Sequence, residues 1–148
     1  MLPQDNETLV RTLFDAFNKR DFDLIGTLLD NDIEFVDIPN GKRYHGPEEV
    51  KQSMQNTLIG LPDGKVEITN LFVGGDWVCV EYISRGTNTG PFITPTGQLP
   101  PTGRKMEMPF CDLYQIKNGK IVVNRTYYDL ATMMRQLGLT PGTTQPGR

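Results

Sequence analysis

The sequence is poor in the residues that metal and disulfide sites need. It holds one histidine, His45, and two cysteines, Cys79 and Cys111. No Cys-x-x-Cys or His-x-x-x-His spacing occurs, so no metal site is expected. Two cysteines inside strand-like apolar runs do not make a disulfide framework; they read as small buried apolar residues in a reducing compartment. Basic clusters and runs of like charge are lacking. Fifteen Lys and Arg against eighteen Asp and Glu leave a net charge of −3, which argues against nucleic acid or an anionic membrane as a partner. No apolar stretch approaches the ~20 residues of a transmembrane helix, and the polar, acidic start from Met1 to Glu7 is unlike a signal peptide. A cytoplasmic location is the simplest expectation. Nor is there a phosphate-binding loop: no Lys-Ser pair follows the glycines and prolines of Gly97–Gly103, so no nucleotide cofactor is expected. Internal repeats are also missing, and the one low-complexity stretch is the Thr/Pro/Gly tail from Pro141 to Arg148, expected to fray.

What remains is an ordinary globular composition. Hydrophobic residues make up 37% and charged residues 22% of 148, enough for a single domain over 1–148 with one core. Leu9, Val10, Leu13, Phe14 and Phe17 recur at helical spacing and predict a helix over Glu7–Asn18 with Asn6 as its cap. Phe22 to Leu29 predicts a second helix, Ile33 to Ile38 a strand, and Pro39-Asn40-Gly41 a turn. Gly46-Pro47 opens a third helix, with Glu48 and Glu49 at the positive end of its dipole, running to about Leu58. The period then falls to two. Strands are expected over Val66–Val73, Trp77–Thr87, Arg104–Ile116 and Lys120–Tyr128, with hairpin turns at Gly74-Gly75-Asp76 and Lys117-Asn118-Gly119. Asn88 to Gly103 reads as a loop. A last helix runs from Asp129 to Leu137, stopped by Gly138. Helices first and hairpin-linked strands later indicate an α+β fold with a mainly antiparallel sheet. Helices on one face of such a sheet leave a concave side that can hold a pocket.

Three aspartates fall on apolar strand faces. On the Arg104–Ile116 strand, alternation puts Asp112 in a row with Met106, Met108, Phe110, Tyr114 and Ile116. A buried carboxylate costs several kcal/mol unless paired or protonated, so Asp112 is either functional or bonded to a turn at an edge. Asp129 shares a face with Ile121, Val123, Arg125 and Tyr127; it is either the N-cap of the last helix or a carboxylate at a pocket mouth paired with Arg125. Asp37, on a face with Ile33 and Phe35, is either a third pocket acid or a partner of the turn that follows. His45 reads as a capping or packed residue, though its pKa would suit proton transfer. Trp77, Tyr82 and Tyr114 read as core, and pocket walls use the same residue types.

From Glu7 to Leu139 the chain resembles the SnoaL-like polyketide cyclases of the nuclear transport factor 2-like superfamily. The resemblance is carried by Phe14-Asp15-Ala16-Phe17-Asn18-Lys19-Arg20-Asp21-Phe22, Tyr44-His45-Gly46-Pro47-Glu48-Glu49-Val50, Pro101-Thr102-Gly103-Arg104, Asn118-Gly119-Lys120-Ile121 and Tyr127-Tyr128-Asp129. Most specific is the ending Met134-Arg135-Gln136-Leu137-Gly138. It implies a cone-shaped fold, no metal or cofactor, and Asp129 as the acid/base of an intramolecular aldol closure. Where those cyclases carry a histidine on the penultimate strand, this chain has Asp112. The related ketosteroid isomerases place an aspartate base after the first strand and a protonated aspartate on a later one, positions similar to Asp37 and Asp112; Leu13 stands where they carry an oxyanion-hole tyrosine. Limonene epoxide hydrolases end their last strand much as Tyr127-Tyr128-Asp129 does, but their Arg-x-Asp is only loosely echoed by Lys105-Met106-Glu107.

The resulting expectation is a cofactor-free enzyme doing acid/base chemistry on a small apolar carbonyl compound. Asp129 would be general base, Asp112 a protonated donor to an enolate, and Asp37 a further site acid. The pocket would be lined by Tyr114, Tyr127, Phe110, Met108, Phe14, Phe35 and His45. A non-catalytic ligand-binding or dimerising module and an epoxide hydrolase are the alternatives. The row Trp77, Cys79 and Ile83, mixed with Glu81 and Arg85, is expected to form a homodimer interface.

Overall fold

The computed structural model describes residues 3–94 and 97–139; the expected fraying tail lies outside them. Its elements are α1 (Pro3–Lys19), α2 (Phe22–Leu28), β1 (Leu29–Asp37), β2 (Lys42–His45), α3 (Gly46–Gly60), β3 (Lys65–Gly74), β4 (Trp77–Thr87), β5 (Phe92–Thr94), β6 (Gly97–Leu99), β7 (Lys105–Lys117), β8 (Lys120–Tyr127) and α4 (Leu130–Leu137). Six strands form one sheet in the order β2-β1-β8-β7-β4-β3. All neighbours are antiparallel except β1 and β8. β5 and β6 form a separate hairpin. The α+β expectation holds: a curved, unclosed sheet carries helices on its inner side.

Apolar stripes decide which faces turn inward. Val10, Leu13, Phe14 and Ala16 of α1 are buried against Val78, Val80 and Tyr82 of β4 and Tyr114 and Ile116 of β7. Each such side chain fully removed from water contributes about 1.5–3 kcal/mol. A second, smaller cluster of Leu61, Met106, Met108 and Leu137 ties α4 to the far end of β7. A cavity lies between the two clusters.

Three features depart from the sequence reading. β2 is short and charged, Lys-Arg-Tyr-His, so it carries no apolar alternation to reveal it. The stretch read as a loop contains the β5–β6 hairpin and is pinned by Asn88, fully buried. Its amide donates to the carbonyls of Gly60 (3.0 Å) and Gly90 (2.8 Å), and its oxygen accepts from the Thr102 N–H (2.9 Å). This brings Phe92 against α3 at Gly60, where a Cβ would collide with the ring. Finally, α1 starts before Asn6, which is therefore not its cap; the buried Asn6 amide instead donates to the Gly75 carbonyl at 3.4 Å. Elsewhere the turn chemistry is as expected: Asn118 and Gly119 both take positive φ in the β7–β8 hairpin, and Gly138 ends α4 in the left-handed conformation.

Candidate active site

The β7 alternation puts Met106, Met108, Asp112, Tyr114 and Ile116 inside, as the sequence predicts. On β8 the alternation fails. Gln115 pairs with Val123 but Ile116 pairs with Ile121, so Val122 is an extra residue in a β-bulge. One inserted residue switches faces for everything that follows. Ile121 points inward, and after the bulge so do Asn124, Thr126 and Tyr128, not Arg125, Tyr127 and Asp129.

The cavity holds about 340 Å³. Phe14 and Leu13 of α1, Met54 of α3, Phe92 of β5 and Met133 and Leu137 of α4 supply its apolar walls. Among the described residues its only charged lining groups are Asp37 and Asp112.

Asp112 is 5% exposed. The Tyr82 hydroxyl donates to its Oδ1 at 3.1 Å and the Tyr114 hydroxyl to its Oδ2 at 2.9 Å. Burial pushes its carboxyl up, and hydrogen bonding from Thr126, Tyr114, Tyr82 and Asn124 pulls it back, leaving it at about 6. Burial, and then the neighbouring Asp112 charge, holds both tyrosines well above their ordinary value. Burial thus moves the Asp112 carboxyl toward its protonated form, the direction the sequence reading expects, and leaves it able to take up and release a proton near neutral pH.

Asp37 sits nearer the surface, at the end of β1. The Tyr128 hydroxyl donates to its two oxygens at 2.9 and 3.1 Å. Asn40, exposed in the following turn, donates its side-chain amide to Asp37 Oδ2 (3.1 Å) and to the Tyr128 oxygen (2.8 Å). Burial, then the Asp37 charge, raises Tyr128 and, less strongly, Tyr44. Tyr128 is therefore a neutral phenol at any ordinary pH.

An aromatic wall joins the two acids. Phe14 meets Tyr82 edge-on at 4.8 Å and Tyr114 at 6.3 Å. Tyr82 stacks on Phe110 at 5.5 Å, and Phe110 packs on Tyr128 at 4.7 Å. Offset and edge-on pairs of this kind are the favoured aromatic arrangements.

Of the residues read from sequence, the structure brings Asp37, Asp112, Tyr114, Phe110, Phe14 and Phe35 to the cavity. Four stand elsewhere. Asp129 is exposed and caps α4, accepting from the Thr132 N–H (3.3 Å) and hydroxyl (2.8 Å). Those bonds hold its carboxyl below the usual range. Its suggested partner Arg125 lies instead over the Trp77 ring, 5.5 Å from the centroid. Tyr127 is 39% exposed on the outer face, displaced by the same bulge. Met108 is buried in the second core cluster, behind the cavity lining. His45 is exposed, and its Nε2 lies 3.9 Å from Asp32 on the surface. Sequence reasoning missed Tyr128, Asn40, Tyr44, Asn124, Thr126 and Phe92. Only the Tyr127-Tyr128 pair offered a signal, since one of two adjacent aromatics had to face inward.

An α+β cone with carboxylates inside an apolar cavity defines the ketosteroid isomerase-like, nuclear transport factor 2-like class of folds. Within it, the SnoaL-like polyketide cyclase family profile matches residues 7–137, and the chain belongs to that family. IdmH from Streptomyces antibioticus, proposed to be a polyketide cyclase, superposes with a TM-score of 0.74 at 28% identity, covering 90% of this chain and 98% of its own. A Catenulispora acidiphila protein of ketosteroid isomerase-like fold, crystallised with trimethylamine, gives 0.74 at 24% identity over 93% and 97%. An epoxide hydrolase of the limonene type from M. tuberculosis gives 0.71 at 16% over 93% and 92%. No curated protein matches the chain. Among the described residues no group of three or more His, Cys, Asp or Glu could hold a metal ion, and no helix is long and apolar enough to cross a membrane.

Proposed function

We propose that this chain is a cofactor-independent small-molecule enzyme that moves protons on an apolar carbonyl compound, as an isomerase or aldol-type cyclase. The carrying observation is Asp112: a buried carboxylate in an apolar cavity, poised at about 6, close to the working pH that a general base needs. Asp112 takes a proton from carbon next to the substrate carbonyl. As that proton arrives, negative charge moves from Asp112 to the enolate oxygen. The Tyr82 and Tyr114 hydroxyls, no longer held by a carboxylate, are free to follow the charge. Asp37 and Tyr128 form a second relay: the phenol gives its proton to a developing alkoxide and regains one from solvent by way of Asp37, while Asp112 releases to solvent the proton it took from carbon. Asp129 has no part in this scheme, because its side chain is committed to the α4 cap.

Exchange of α-protons for deuterium in apolar cyclic ketones, followed by NMR, tests the first step without the natural substrate. Exchange above the buffer rate that is lost in Asp112→Asn supports the reading. Equal exchange by both proteins removes Asp112 from the mechanism.

One observation favours a binding module instead: both carboxylates already have protein donors. Ligand retention with no exchange on any ketone would select that reading. The trimethylamine in the Catenulispora relative makes organic amines a ligand class to include in such a screen.

A second copy of the chain is the proposed partner. Trp77, Cys79, Ile83 and Leu113 on the outer sheet face stay partly exposed, and Phe72 is 60% exposed at its edge. Apolar patches of this kind mark interaction surfaces. A monomer mass by light scattering at micromolar concentration would reject it.

A further inference from the structure

The charge balance of the cavity is one-sided. Two carboxylates line it, and no Lys, Arg or His does among the described residues. A buried carboxylate is ordinarily balanced by a cation. Among the described residues the protein offers Asp112 only neutral partners, the Tyr82 and Tyr114 hydroxyls with Thr126 and Asn124. Asp37 likewise has only Tyr128 and Asn40. Between them runs the ring sequence Tyr114, Phe14, Tyr82, Phe110, Tyr128. Aromatic faces carry negative charge density and attract cations, more strongly when water is excluded. The remaining walls carry only neutral groups and are largely apolar, as at Leu13, Met54 and Leu61.

The geometry points to a ligand that is a small hydrophobic organic ammonium: an apolar body carrying one protonated or quaternary amine. The amine supplies the missing counter-charge between Asp112 and Asp37, and its alkyl groups lie on the aromatic wall. Anionic ligands are excluded by the same two carboxylates. This goes beyond the proton-transfer reading and rests on it in one respect, that this cavity is the substrate site.

The test uses three probes of nearly the same size on the intact protein: benzyldimethylamine, its uncharged isostere isobutylbenzene, and the anion phenylacetate. Affinities are measured by calorimetry at pH 7.5. The expected order is amine first, the isostere about tenfold weaker or more, and phenylacetate without measurable binding. Asp37→Asn and Asp112→Asn should each shrink the amine-to-isostere ratio while leaving isobutylbenzene binding nearly unchanged. Isobutylbenzene binding as tightly as the amine overturns the inference and leaves the proton-transfer reading standing, since neutral ketones would fit equally well. Binding of none of the three also overturns it, and the ketone exchange assay then decides separately whether the cavity is a catalytic site. If an Asn variant fails to fold, the affinity ratio on the unmodified protein still decides.

Discussion

Asp112 and Asp129 are the same side chain in opposite surroundings. Asp112 sits at the floor of the cavity, 5% exposed, with its acidity weakened by burial to about 6. Asp129 sits on the surface at the start of α4, with its acidity strengthened by the Thr132 hydroxyl and N–H. Hydrogen-bond donors lower both carboxyls, yet the outcomes are opposite because one site is dry and the other wet. Desolvation outweighs the donors Thr126, Tyr114, Tyr82 and Asn124 at Asp112, whereas at Asp129 the cap donors outweigh the smaller effect of burial. A carboxylate becomes a useful proton carrier near neutral pH only in the first setting.

Exchanging the charge at each position should separate the two most clearly. Asp112→Asn should lower ketone α-proton exchange by about 10²–10⁴-fold, the usual contribution of a positioned acid/base group. Asp129→Asn should leave it unchanged. Comparable losses in both variants would mean that the cavity floor is not where the chemistry happens.

The next largest effect is on stability. Asp112 has a folded-state value of about 6 against 3.8 for the free group, so the folded protein holds this proton more tightly than the unfolded chain does. Its contribution is fully present below pH 3.8 and is lost as pH rises through 6. The loss amounts to roughly 3 kcal/mol. Urea unfolding at pH 4 and pH 7 should show this decline in the parent protein relative to Asp112→Asn. Taking the difference between the two proteins cancels the opposite trends of other carboxylates. An identical pH dependence in the two would show that Asp112 is not desolvated as described.

Removing one tyrosine donor probes the balance within the floor itself. Tyr114→Phe deletes a hydrogen bond that favours ionised Asp112, so the acid limb of the exchange-rate profile should move above pH 6, with less than a tenfold change in maximal rate. A limb that stays put would mean burial alone sets the value.

The sequence made these two acids look alike for a definable reason. On β7 the period-two pattern runs from Met106 to Ile116 and marks Asp112 as an inward residue, where the structure has it. On β8 the same rule put Asp129 inside, because the one residue that breaks the alternation, Val122, has nothing in its identity to mark a bulge. Bulges arise from pairing with a neighbouring strand, here the mismatch between Gln115–Val123 and Ile116–Ile121, and no single strand's sequence contains that information. Tyr128 was lost by the same step. β2 and the β5–β6 hairpin were illegible for another reason: each puts a single aromatic, Tyr44 or Phe92, against the core, too little to make an alternating pattern, and strand pairing and Asn88 hold the rest. The helices and long strands were legible because their own side chains form the core.

The smallest effect completes the contrast. Asp129→Ala removes the cap of α4 and should lower the melting midpoint by a few degrees. Because the Asp129 carboxyl is held below its ordinary value when folded, its contribution exists above the unfolded pKa and disappears as pH falls through the folded one. The midpoints of Asp129→Ala and the parent should therefore converge in strong acid, the reverse of the trend at Asp112. Ketone exchange should not change, although α4 carries Met133 and Leu137 into the cavity wall. Leu137 is buried in the second core cluster and Gly138 still closes the helix at its other end, so a frayed first turn leaves those two side chains in place. A drop in exchange rate that follows the drop in midpoint would show that the α4 N-terminus helps to shape the cavity. Asp129 would then act on the site through the helix it caps.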